Sequence, residues 1–153
     1  MQQSKTLTVS AIENGTVIDH VTSGQAFVVL KALKWIVDDK KASVAMNLSS
    51  KSMGIKDLLK LEDRYLSEKD LEQLAIIAPN ATINLIRNYE VVKKFQVELP
   101  KEIIGIIPCS NGQCISNHEA MLSRMDVRKH GPLIQLRCRY CRERRSYPDG
   151  DKR

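Results

Sequence analysis

Cys109, Cys114, Cys138 and Cys141 are the four cysteines of this 153-residue chain, and they stand as two close pairs, C-x4-C and C-x2-C, with 23 residues between them. Two such pairs carried on two turns can converge as four thiolates around one tetrahedral Zn²⁺. Four sulfur ligands leave no open coordination position, so a centre of this kind holds structure together rather than performing catalysis. Paired disulfides and redox thiols are the competing readings, and a reducing compartment disfavours the first.

A second group lies near the start. Asp19 and His20 follow an Asn-Gly turn signal in NGTVIDH. If Val17–His20 is extended, adjacent side chains point to opposite faces, so the carboxylate and imidazole cannot form a local acid–base dyad. No nucleophile motif or glycine-rich phosphate loop accompanies them. A turn-proximal Asp that accepts backbone N–H groups beside a surface His is one alternative. The lysines supply another: Lys56 and Lys60 are four apart in IKDLLKLED and share one face of a strand, and Lys93-Lys94 closes a later strand. If these strands neighbour the first, the cations suit a polyphosphate, with Asp19 free to accept hydrogen bonds from ribose hydroxyls. Solvated edge lysines that discourage strand-to-strand association are the plainer explanation.

These residues need a scaffold, and hydrophobic periodicity predicts one. Leu7–Ile12 and Val17-Ile18 read as short extended stretches around the turn at residues 13–16. A helix is expected over about 23–36, opened by a Thr22/Gln25 capping box, with Ala26, Phe27, Val29, Leu30, Leu33 and Ile36 at helical spacing. Val44, Met46 and Leu48 alternate, as does IKDLLKLED after Gly54, giving two strands. Ser67 caps a second helix with Glu68 and Asp70 in its first turn; Leu71, Leu74, Ala75 and Ala78 form its apolar face, and Pro79 ends it. Thr82–Ile86 and Glu90–Phe95 form a hairpin. The order is the split βαβ pattern, so the fold class is α+β: a ferredoxin-like N-terminal domain, an antiparallel sheet with two helices on one face, followed by a small all-β zinc-binding domain.

Composition supports two units. The chain is 42% apolar and 27% charged, as in ordinary globular proteins. Residues 1–100 carry a net charge of +1 and no cysteine, whereas residues 101–153 carry +5 and all four. The boundary is expected at Leu99-Pro100, giving domains 1–100 and 101–153. A four-thiolate zinc centre is itself anionic, so Arg137, Arg139, Arg142, Arg144 and Arg145 partly screen it. The same arginines, with Tyr140 and Tyr147, would otherwise suit nucleic acid. No apolar run reaches the roughly 20 residues of a spanning helix, and MQQSKTLTVS has no signal-peptide core, so a cytoplasmic location away from membranes is expected.

Together, GTVIDH, MGIKDLLKLED, LAIIAPNATINLIRNYEVVKK and the tail C-x4-CI…L-x-CRYC resemble, in order and along nearly the full chain, the regulatory chain of aspartate carbamoyltransferase. The resemblance implies a non-catalytic subunit with an N-terminal nucleotide-binding domain and a C-terminal zinc domain. Regulatory homodimers would join catalytic trimers and bind ATP or CTP, modulating the first committed step of pyrimidine biosynthesis. It further implies that Ala11, Ile12 and Tyr89 line a base pocket walled by Val9, Val17 and Val91. Asp19 would hold ribose and His20 phosphate; Lys60 would approach base and ribose, and Lys94 ribose and phosphate, with Asn84 and Lys56 as neighbours. The cysteines would hold zinc and present Asn111 to the catalytic chain. Two departures stand out: Thr6 occupies a place where a lysine near the polyphosphate is expected, with Lys5 one position earlier, and CSNGQC lacks the proline that commonly follows the first cysteine. The second departure implies more freedom in the loop at Ser110 and Gly112. The alternative from another class is a zinc-ribbon nucleic-acid binder with a fused ligand-sensing domain.

Overall fold

A computed structural model describes residues 11–34 and 39–147. Its elements run β1 (Gly15–Thr22), α1 (Ala26–Ala32), β2 (Ala42–Ser50), β3 (Gly54–Glu62), α2 (Glu68–Ile77), β4 (Thr82–Arg87) and β5 (Glu90–Gln96), then β6 (Glu102–Ile104), β7 (Arg124–His130), β8 (Leu133–Cys138) and β9 (Arg144–Tyr147). The first five strands form one antiparallel sheet in the order β2-β3-β1-β4-β5, and the last four form a second in the order β6-β7-β8-β9. The expected α+β architecture is present, with β5 added as a hairpin partner to the four-stranded ferredoxin-like arrangement.

Alternation along the strands sorts the two faces of the first sheet. Ile18, Leu59, Leu61 and Ile83 point to the side covered by α1 and α2, where they meet Val29, Leu74, Ala75 and Ala78 in one core. Lys60, Val17, Asn84 and Lys94 lie opposite one another in a single row across β3, β1, β4 and β5, on the face away from α1 and α2. The β4–β5 turn holds Asn88 and Tyr89 at φ 51° and 66°, the left-handed pair that suits a two-residue hairpin. Tyr89 N–H donates to the Glu13 carbonyl at 2.9 Å, which ties the turn to the segment entering β1.

The first helix departs from expectation. It begins at Ala26 rather than 23 and ends at Ala32, with Lys34 already left-handed at φ 54°. No Thr22/Gln25 capping box forms. Instead the buried Asp57 carboxylate accepts the Gly24 (2.9 Å) and Ala26 (3.2 Å) amides and, from β2, the Asn47 amide (3.0 Å). Phe27, expected on the apolar face, is 64% exposed; Ala26, Val29 and Leu33 do the packing. Leu7–Ser10 and Ile36 lie outside the described residues, and Ala11-Ile12 is irregular rather than extended.

The second helix matches its reading closely. Ser67 accepts the Asp70 amide while Asp70 accepts the Ser67 amide, a reciprocal capping box. Its C-terminal half is apolar on two sides. Leu74, Ala75 and Ile77 join the first core, whereas Ile76 is fully buried among Ile103, Ile107, Met125, Val127, Ile134 and Leu136 of the second.

Candidate functional site

The face of the first sheet away from α1 and α2 gathers the polar residues singled out above. Lys60, Val17, Asn84 and Lys94 make the cross-sheet row, and Lys56 stands two positions along the same face of β3. Burial lowers the Lys60 pKa, because removing water disfavours the ammonium ion. Tyr89 and Val91, 65% and 57% exposed, flank the end of the row on the β4–β5 hairpin. Ile12 is buried and Ala11 exposed just before β1. Val9 and Thr6 lie outside the described residues.

Asp19 and His20 require a correction. The β1–β3 register slips between Ile18 and Val21, and His20 sits at φ 55°, so alternation fails where the two residues would have been sent to opposite faces. Both side chains reach the same neighbourhood: His20 Nδ1 lies 3.8 Å from Asp19 Oδ2 and shares a 3.2 Å hydrogen bond with Thr82 Oγ1. Asp19 Oδ1 accepts the His20 amide at 2.6 Å and meets Lys56 Nζ at 2.9 Å. Burial acts to raise the Asp19 pKa, but the Lys56 hydrogen bond, the His20 amide and the charges of both neighbours outweigh it, and the net shift is downward. Asp19 is therefore a fixed carboxylate that organises Lys56 and the backbone. The imidazole, held by Thr82 on its Nδ1 side, opens onto a polar cavity of about 310 Å³ lined also by Ser52, Asn80 and Gln96.

The second site is the thiol cluster. Cys109 and Cys114 come from the loop after β6, Cys138 from the last position of β8, and Cys141 from the turn into β9, where Arg142 at φ 66° reverses the chain. Their four Sγ atoms lie within 4.8 Å of one another, with Cys109–Cys141 at 3.6 Å and Cys114–Cys138 at 3.7 Å. A tetrahedral ion with bonds of about 2.3 Å needs sulfurs about 3.8 Å apart, close to the two pair distances and within reach of the whole set. None of the four is in a disulfide. The Ser116 hydroxyl, 3.0 Å from Cys114 Sγ, holds that thiol down to about 6, while burial pushes the Cys109 thiol up to about 12. The Glu143 amide reaches Cys141 Sγ at 3.5 Å. These donors around the sulfurs are what anionic ligands of a metal require.

The loop bearing Asn111 is pinned from behind. Asn117 Nδ2 donates to the carbonyls of Cys109 (3.0 Å) and Asn111 (2.8 Å), and His118 Nε2 lies 2.7 Å from the Gly112 carbonyl. Asn111 Oδ1 accepts the Gln113 amide at 3.0 Å. Asp57, Thr82, Ser116 and Asn117 were not singled out from the sequence. For Asp57 a signal existed, an acid at an inward position of an alternating strand; for the others there was none beyond polarity.

Two family descriptions match consecutive parts of the chain. Residues 7–98 match the allosteric domain of the aspartate carbamoyltransferase regulatory chain, and residues 101–149 match its metal binding domain. Among curated proteins, the aspartate carbamoyltransferase regulatory chain of Methanocella arvoryzae is 48% identical over 148 residues, covering 92% of each chain. That of Pyrococcus abyssi is 46% identical over 137 residues, 88% of this chain and 90% of the relative, and that of Serratia marcescens 43% over 141 residues, 92% of each. With a four-thiol centre and these collinear matches, the chain belongs to the family of aspartate carbamoyltransferase regulatory chains.

Proposed function

We propose that this chain is a non-catalytic cytoplasmic subunit that binds ATP or CTP through residues 1–100 and transmits the effect through residues 101–153 to the catalytic chain, in pyrimidine biosynthesis. The observation that carries the reading is the row Lys60–Val17–Asn84–Lys94 running beside Asp19, His20 and Lys56. It offers cations for phosphates and, at the exposed Tyr89 ring and the backbone of Ala11 and Ile12, a place for a base. Val17 and Val91 wall the space between, Asp19 takes ribose hydroxyls, and Val9 and Ala11 complete the base pocket. An effector shifts the enzyme's states only by its differential affinity for them, a coupling of about 1–3 kcal/mol.

The metal is zinc, held by Cys109, Cys114, Cys138 and Cys141. Four thiolates select a soft tetrahedral ion and leave it no site for substrate, so its contribution is to fold. Asn111 then faces the catalytic chain, and two regulatory chains pair as a homodimer. The basic tail has work of its own: Arg139 bridges Asp126 (2.9 Å) and Glu102 (3.1 Å), and Arg145 covers the Tyr147 ring at 4.8 Å. That leaves few free cation–aromatic platforms for nucleic acid.

Titration calorimetry with ATP and CTP, on the chain alone and joined to catalytic chains, tests the proposal. Lys60→Ala and Lys94→Ala should each weaken binding about 10-fold or more, the value of a hydrogen bond to a charged group, while assembly survives. Unchanged titrations would move the site off this face.

A further inference from the structure

The chain contains two Asn-Gly dipeptides, Asn14-Gly15 and Asn111-Gly112, and their surroundings differ sharply. We propose that Asn111-Gly112 is a site of spontaneous deamidation in the unassembled chain, shielded once the catalytic chain covers it. The shielding rests on the placement of Asn111 proposed above; the chemistry does not.

In the reaction the Gly112 backbone nitrogen, after giving its proton to solvent, attacks Asn111 Cγ. The new C–N bond forms as the bond to the side-chain amide breaks, and ammonia leaves with a proton from water. Water then opens the five-membered imide at either carbonyl, giving an aspartate or an isoaspartate linkage. The balance is one water in and one ammonia out, with no change of oxidation state.

Three features of the loop favour each part of that step. Asn111 Oδ1 accepts the Gln113 amide at 3.0 Å, which folds the side chain back over the Gly112 peptide and polarises the carbon under attack. The Asn111 backbone carbonyl accepts both Cys114 N–H (3.0 Å) and Asn117 Nδ2 (2.8 Å). Negative charge left on deprotonating the Gly112 nitrogen is delocalised onto that oxygen, so both bonds favour the attacking form. Gly112 is exposed, and apart from its two chain neighbours no residue comes within 4 Å of the Cβ position it lacks, so no distant side chain packs over it. Gly15 is the opposite case: it is buried, paired to Glu62 and Ile86 on both sides, and placed so that a Cβ would collide with the Leu61 carbonyl. Its nitrogen cannot swing towards Asn14 without opening the sheet.

The product places a carboxylate beside the thiolate centre on the face offered to the partner, so an aged chain would assemble less well. The test incubates the full-length, metal-loaded chain at mildly alkaline pH, free and in complex with catalytic chains, and follows both asparagines by peptide mass spectrometry. In the free chain the Asn111 peptide should acquire the mass of an acid in place of an amide and split into two chromatographic forms, while the Asn14 peptide stays unmodified. Gly112→Ala should abolish the modified forms over the same period; the Asn14 peptide is an internal control that needs no variant. No conversion at Asn111 while an unstructured Asn-Gly peptide converts, or conversion at Asn14 as fast as at Asn111, overturns the chemistry. Equal conversion in the free chain and the complex overturns the shielding and, with it, the placement of Asn111 against the partner.

Discussion

Asp19 illustrates how one carboxylate changes role with its backbone. In a regular strand it would face away from His20; in the bulge it accepts the His20 amide and pairs with Lys56 at 2.9 Å. Its pKa in the folded chain is lowered from the ordinary 3.8, so it stabilises the fold in full above that value, and the contribution is lost as pH falls through the lowered folded value. Urea unfolding of the chain and of Asp19→Asn should therefore differ at pH 5 and converge as pH falls below 3.8 through the lowered value. A gap that persists at the acid end would show that packing, not charge, is what Asp19 supplies. The lysine pair on β3 was legible because a four-residue spacing keeps one face on a strand. The bulge was not: it is a mismatch with β3, across forty residues of sequence, and IDHV carries no glycine to mark it. Its left-handed His20 is the kind of local strain that persists only where surrounding contacts, here Thr82 and Asp19, hold it.

Among the elements, α1 depends most on something distant. Seven residues make fewer than two full turns and are not stable as an isolated helix. With no side-chain cap of its own, its first turn relies on Asp57, buried on β3 and bonded to three amides from two other segments. Asp57→Ala leaves those three N–H groups without their acceptor and should cost about 3 kcal/mol or more, read as a drop in the urea midpoint. Thr22→Ala, the substitution that a local capping box would make costly, should stay within about 0.5 kcal/mol. Reversal of that order would restore the local cap. The contrast with α2 shows what sequence can and cannot carry. The cap of α2 lies four residues from start to end, all in SEKD, and was readable. The cap of α1 comes from 31 residues away, whereas Thr22 and Gln25 fit the local pattern without forming it.

At the scale of the whole molecule, the two cores meet at Ile76 of α2 and at Leu99, which packs against both. The second sheet has four short strands over fewer than 50 residues, too small a unit to be secure on apolar burial alone, and its four-thiol centre supplies the missing constraint. The charge and cysteine asymmetry made this division visible in the sequence, but not that Ile76, within an N-terminal helix, completes the second core. Periodicity assigned α2 a single apolar face, and LAIIA is apolar on too many sides for one sheet to account for. This arrangement sets how metal removal should propagate. Thiolate ligands must shed protons to bind metal, so chelation, or acid, should empty the centre and melt the second sheet while the first keeps its secondary structure. The N-terminal unit then exposes Ile76, which is fully buried in the intact chain, and loses about 1.5–3 kcal/mol of apolar burial. For a unit of this size its own transition should fall by roughly 10 °C. A single remaining calorimetric transition after chelation, lower than the N-terminal transition of the metal-loaded chain and little changed by Ile76→Ala, a substitution that does lower it in the metal-loaded chain, would establish the shared core. An N-terminal transition unmoved by chelation would make the two cores energetically independent, with α2 coupling neither to the other.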